Sequence, residues 1–200
     1  MARMSADERR SQLIEAALAV MSDEGLHAAT TRRISEYADV KLATVHYVFG
    51  NKQALLEAVM TKVTDDVAAT VSSAIRRSTG LSAAIEDSIT GFWSMVEQNV
   101  GLQIMQYEVT AYALRTPGLA WLAKWQYDSY CKAVEDAYRD AMRDDEAADI
   151  PIPQLARLVV AGVDGIILQF VTHRSVRRAR RDVRNLVGAV GRLVTEGNPP

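Results

Sequence analysis

The chain has 200 residues, a formal net charge of −2, a single cysteine (Cys131) and 48% hydrophobic residues. That share of apolar side chains supports a buried core and excludes global disorder, and one thiol excludes an internal disulfide framework and fits a reducing compartment. No apolar run is read as long enough to cross a bilayer, and the opening MARMSADERR has no apolar signal region, so a soluble cytoplasmic protein is expected.

Ser5 followed by Glu8 has the capping-box spacing of a helix start. Ile14, Ala17, Leu18 and Met21 give that helix an apolar face, and Gly25 supplies its stop. The next stretch, TTRRISEYADVKLATVHYVFGNKQALL (30–56), reads as two short helices joined by a tight turn, with a third helix opening after it. Ile34 and Ala38 share one helix face, Val40 lies in the turn, and Val45, Val48 and Phe49 form the inward face of the next helix. Counting from Thr31, the fifth position needs a small residue so that the helices can approach, and Ser35 supplies it. The ninth must tolerate a left-handed backbone, which Asp39 can do.

If 41–48 enters a groove, its outward residues are Lys41, Leu42, Ala43, Thr44, His46 and Tyr47. Lysine can donate to guanine edges or phosphate, small apolar groups and threonine suit thymine methyls, and a tyrosine hydroxyl suits phosphate. Thr30 or Thr31 is the expected N-cap of the preceding helix. The Thr31 hydroxyl can add a phosphate bond there, with Arg32 and Arg33 just behind it. Lys52 in the first turn after Asn51 opposes the helix dipole, as expected where a phosphate lies nearby. Charge alone does not argue for DNA: residues 1–62 hold eight Lys or Arg against eight Asp or Glu.

The run Thr30-Thr31, Ile34, Ala38, Val40, Ala43-Thr44-Val45, Tyr47, Phe49, Lys52 and Leu55-Leu56 resembles the DNA-binding signature of the TetR family of bacterial transcriptional regulators. Ile14, Ala17, Leu18 and Gly25 extend the likeness upstream, over roughly the first third of the chain. The sequence departs from the pattern at Ser35, Asp39, Lys41 and His46, and the last two lie where DNA is read, so operator preference does not carry over. The resemblance implies DNA contacts through Thr31, Arg32, Lys41 to Thr44, His46, Tyr47 and Lys52, with Arg3 on an N-terminal arm. It also implies a homodimer, closed by two helices per subunit.

The remainder reads as helical, with no strand pattern, giving an all-α fold of about nine helices. An N-terminal three-helix DNA-binding domain (1–52) is expected to precede a larger effector-binding and dimerisation domain (53–200). A long helix is expected to run from Lys52 without a breaker before Gly80. The middle helices gather Phe92, Trp93, Met105, Glu108, Tyr112, Trp121, Trp125 and, further on, Asp164 as candidate lining for a small-molecule site, although core packing explains most such aromatics. Asp164 lies inside the most apolar helix and is the odd residue of the set. An apolar or a cationic effector suits this composition equally.

Residues 154–172 are apolar nearly all round, which requires burial on more than one side. Leu158, Gly162, Ile166 and Phe170, with Val190 and Leu193 of the final helix, are the expected dimer interface. Arg174, Arg177, Arg178, Arg180, Arg181 and Arg184 read as a solvated connection between the last two helices. His27, His46 and His173 are scattered and no nucleophile or metal motif is present, so neither an enzyme nor a metal or cofactor site is expected. The expected function is a repressor that binds a palindromic duplex operator as a dimer and is released by a small effector. The rival is a helical ligand-sequestering protein without operator binding.

Overall fold

A computed structural model describes residues 4–75 and 80–196; Arg3 lies outside them. Among the described residues the chain forms nine helices: α1 (Ala6–Glu24), α2 (Thr31–Tyr37), α3 (Leu42–Phe49), α4 (Lys52–Ile75), α5 (Leu81–Gln98), α6 (Val100–Arg115), α7 (Ala120–Ala141), α8 (Ile152–His173) and α9 (Val176–Gly191). One expectation needs correction, because β1 (Glu146–Ala148) pairs antiparallel with β2 (Val194–Glu196), with Ala147 opposite Thr195. Three-residue strands carry too few positions for alternation to show in sequence. Leu193 and Val194 therefore lie beyond the final helix rather than in it.

The chain divides into two compact units, and neither is one contiguous stretch. Unit 1 contains the chain up to Val63 together with Gly101–Gln126, and unit 2 contains Thr64–Val100 and the chain from Tyr127 onward. The expected boundary between residues 52 and 53 is thus not where the compact units divide. The reason is packing: Met105, Val109 and Ala113 of α6, with Leu119 and Leu122 around the start of α7, complete one core with α1 to α4. Leu13, Val20, Ile34, Val45, Leu56 and Met60 are all sealed within that core. Each fully buried side chain of this size contributes about 1.5–3 kcal/mol.

α1 begins as its sequence requires. The Ser5 hydroxyl accepts the Glu8 amide at 3.1 Å, and the Glu8 carboxylate accepts the Ser5 amide at 2.7 Å. Gly101 at the start of α6 permits a close approach to the backbone of α1. A Cβ there would stand 2.5 Å from the Ser22 carbonyl oxygen of α1. The Glu108 carboxylate of α6 accepts the backbone amide of Leu26 at 2.7 Å and so ties α6 to the connection between α1 and α2.

In unit 2, α8 packs on α9 and α5. Trp93 meets Phe170 edge to face at 5.3 Å, and its indole donates to Glu97 at 2.6 Å. Glu97 also takes both arms of Arg180 from α9, at 2.8 and 2.6 Å, and these bonds hold its carboxyl below the usual range. Glu146 is buried although it carries a charge. One of its carboxylate oxygens accepts the amides of Leu81 and Arg143, each at 2.9 Å, capping α5 from 65 residues away.

The arginine run is not a connection. Arg177, Arg178, Arg180, Arg181 and Arg184 lie on α9 itself, and only Arg174 precedes it, in a left-handed cap conformation at φ 54°. Nor is α8 too short for a bilayer: among the described residues it is the one helix long and apolar enough to cross a membrane. Leu155, Ala156, Val159, Val163, Ile167 and Phe170 bury one face of it within unit 2. Leu158, Ala161, Gly165 and Leu168, at helical spacings of three and four, leave the other face exposed.

Candidate nucleic-acid interface

The steep crossing of α2 and α3 is built by their short turn. Asp39 takes the left-handed backbone at φ 51°, as its position requires, and the Val40 amide donates to the Ser35 carbonyl at 3.0 Å. Ser35 is buried, and its hydroxyl returns to the Arg32 carbonyl at 2.7 Å, so its small polar side chain is satisfied where the helices approach. Gln12 of α1 donates to the Ala38 carbonyl at 3.0 Å and fixes the turn from the third side. Thr30, rather than Thr31, caps α2 by accepting the Arg33 amide at 3.1 Å, and Thr31 is half-buried in the first turn.

α3 then sorts its side chains cleanly. Val45 and Phe49 are buried, Val48 and Thr44 are half-buried, and Leu42, Ala43, His46 and Tyr47 face outward. Tyr47 is 89% exposed and Leu42 41% exposed, which is unusual for side chains with nothing to pack against. Lys41 precedes the helix, exposed, and gives it no side-chain cap. Gly50 ends α3 at φ 70°, a conformation that a side chain resists. Asn51 accepts the Ala54 amide at 2.9 Å to start α4. Lys52 is exposed, with its ammonium 5.1 Å from the centre of the Tyr112 ring.

The charge balance of this region follows from its pairs. Arg32 bonds Glu36 at 3.2 Å, and Arg33 grips Glu24 at 2.5 and 3.0 Å, raising the guanidinium pKa and lowering that of the carboxyl. Arg10 lies over the Phe49 ring at 5.0 Å. Glu36 and Glu24 are thus taken up by the arginines of α2. The outward face of α3 holds Lys41, His46 and Tyr47 but no carboxylate, and can donate hydrogen bonds into a groove.

The residues expected to line one effector site are divided between the units. In unit 1, Met105 is sealed in the core, Trp125 packs on that core and Trp121 is 48% exposed. Glu108 and Tyr112 have the structural partners already given, Leu26 and Lys52. In unit 2, Trp93 is core, Phe92 is half-buried, and Asp164 accepts the Tyr127 hydroxyl at 3.2 Å. Tyr127 and Tyr130 stand edge to face at 6.0 Å. Tyr127 is itself one of the aromatics that the sequence concentrates in the middle helices, and it lies on the α7 face that meets Asp164.

The expected interface residues also divide. Leu158 is exposed, Ile166 and Leu193 are half-buried, and Phe170 and Val190 are buried within the chain. Gly162 serves the packing of α8 on α9, since a Cβ there would stand 2.7 Å from a Leu186 methyl. Among the described residues no cluster of His, Cys, Asp and Glu could hold a metal.

Residues 13–59 match the family described as bacterial regulatory proteins, tetR family, and residues 81–193, more than half the chain, match the tetracyclin repressor-like C-terminal domain. The chain is 28% identical over 188 residues to the HTH-type nicotine-responsive transcriptional repressor HdnoR of Paenarthrobacter nicotinovorans, covering 94% of this chain and 96% of that protein. Its fold matches a crystal structure assigned to a TetR-family transcriptional regulator of Rhodococcus sp. (TM-score 0.79, 18% identity, 94% and 98% of the two chains). It also matches the multidrug binding protein EbrR complexed with ethidium (TM-score 0.69, 22% identity, 94% and 99%). The two matched regions span the helix-turn-helix and the helices beyond it, and the chain belongs to the TetR family of bacterial transcriptional regulators.

Proposed function

We propose that the chain is a cytoplasmic, homodimeric repressor that places α3 of each subunit in successive major grooves of a palindromic operator and is released by a small-molecule effector. The observation that carries this is the outward face of α3. Leu42, Ala43, His46 and Tyr47 are exposed together opposite Val45 and Phe49, with Lys41 and Lys52 exposed at the two ends. The outward α3 side chains other than Tyr47 meet base edges, while Thr31, Arg32, Tyr47 and Lys52 meet phosphates. The exposed apolar stripe of α8, Leu158, Ala161, Gly165 and Leu168, is the face on which the second copy sits. Full-length similarity to a nicotine-responsive repressor supports release by an effector.

The test is binding of the purified protein to duplex DNA flanking its own gene, titrated against salt. Site-selective binding that weakens steeply with salt is expected. Tyr47→Ala with Lys52→Ala should lower affinity and reduce the salt slope by about 0.9 for each phosphate that is no longer neutralised. The dimer should persist, because both side chains are exposed. Site-selective binding untouched by the pair would remove the phosphate assignments. No binding to any genomic fragment would favour a ligand-sequestering protein.

A further inference from the structure

We infer that the outward face of α9, built by Arg177, Arg181 and Arg184, is a second nucleic-acid contact, which holds the phosphate backbone of duplex DNA by charge without reading sequence. The inference goes beyond the operator reading and does not rest on it, because this face belongs to unit 2 and α3 to unit 1.

Residues 174–184 carry six arginines against one acid, Asp182, in a chain whose net charge is −2. Two of the six are engaged inside the chain. Arg180 grips Glu97 with both arms, and Arg178 bonds Gln169 at 2.8 Å and pairs with Asp182 at 3.7 Å. Among the described residues, the side chains of Arg177, Arg181 and Arg184 meet no hydrogen-bond or ion-pair partner. All three are exposed, and intervals of four and three residues bring them onto one face, opposite the buried Ala179, Val183 and Val190. Like charges at these intervals repel, and a guanidinium stays charged at any physiological pH, so the face holds unanswered positive charge.

The geometry and composition of the face select the anion. Arg177 to Arg184 covers roughly 10 Å of helix axis, and one strand of duplex DNA places about three phosphates along that length. A guanidinium matches phosphate oxygens two at a time. The face continues to Gly188 and holds no apolar side chain. A protein partner is anchored by aromatic or apolar side chains in a dry centre, and a helix lies in a lipid surface by burying an apolar face. α9 offers neither, since its apolar side is already packed within unit 2. A phosphate backbone requires only positioned charge.

The experiment is fluorescence anisotropy of a labelled mixed-sequence duplex, titrated with the full-length protein at several salt concentrations. Replacing the three arginines together (Arg177→Gln, Arg181→Gln, Arg184→Gln) should weaken binding at least about tenfold at low salt and lower the log–log salt slope by about 0.9 per arginine. Arg→Lys at the same three positions keeps the charge and should restore most of the affinity. A control triple of exposed arginines scattered elsewhere, Arg115→Gln, Arg157→Gln and Arg192→Gln, removes the same charge and should cost less than about threefold. The loss from the α9 triple should persist in the Tyr47→Ala, Lys52→Ala background, which separates it from the reading head. All the changed side chains are exposed, so the fold should be retained, and thermal melting checks that it is. Equal losses from the two triples would mean that bulk charge alone acts, and would overturn the contact. So would an unchanged salt slope, or capture by anionic phospholipid vesicles through these arginines with duplex affinity unaltered. A change of oligomeric state in the α9 triple would make the face a contact between copies and overturn it as well.

Discussion

Glu108, a candidate ligand residue by its sequence, has a different occupation in the structure, and one that can be measured. Its carboxylate accepts the Leu26 amide at 2.7 Å, at the end of α1 where the chain turns toward α2. Leu26 is itself buried, so removing the acceptor leaves a backbone donor with poor access to water. A hydrogen bond to a charged acceptor contributes about 1.5–3 kcal/mol. Glu108 is only partly covered, which allows water to replace some of that loss, so Glu108→Ala should destabilise by about 2 kcal/mol. At about 1.4 kcal/mol per decade, that is roughly a 30-fold rise in the opening of this connection, read as weaker protection of the Leu26 amide in hydrogen exchange. Urea denaturation should shift its midpoint with an unchanged slope. Glu108→Gln keeps an acceptor oxygen without the charge and should lose about half as much. A melt within about 0.5 kcal/mol of the parent, together with abolished effector binding, would refute the structural role and restore Glu108 to a ligand site.

Three further outcomes follow from the packing. Gly101→Ala places a methyl 2.5 Å from the Ser22 carbonyl, so α6 must shift and stability should fall by about 1–3 kcal/mol in chemical denaturation. Glu146→Ala strips the acceptor shared by the Leu81 and Arg143 amides and should cost about 3 kcal/mol, whereas a change below about 1 kcal/mol would mean that water replaces the carboxylate. The Arg180 and Trp93 bonds depress the Glu97 pKa, so its contribution is complete above the ordinary glutamate value near ~4.3 and is lost as pH falls through the lower folded value. Glu97→Gln should therefore flatten the acid limb of a stability profile below about pH 4.5, with no change of slope at neutral pH.

How much of this is legible in the sequence depends on the range of the interaction involved. The capping box at Ser5 and Glu8, the left-handed turn at Asp39 and the inward and outward sides of α3 follow from residues three or four apart, and each is readable. The Glu108–Leu26 bond spans 82 residues and the Glu146–Leu81 bond 65, and no local spacing announces either. Leu13 and Val20 escape the apolar face expected for α1 because that helix is covered on a second side, partly by α6, which one-stripe periodicity does not anticipate. Gly162, Phe170 and Val190 read as lying between copies because an all-round apolar helix does not say which side its own chain covers. The arginine run reads as a connection because six basic residues hide the helix that Ala179, Val183 and Val190 anchor.

The interleaving of α6 with the first four helices bears on how such a regulator can be re-engineered. A chimera made by cutting near residue 63 and grafting the reading head onto a foreign receiver would leave behind Met105, Val109, Ala113, Leu119 and Leu122, all of which fill the head's own core. The head is therefore not a detachable cassette. A transplant that keeps its operator preference has to carry 101–126 with it, or redesign the bare surface that their removal creates.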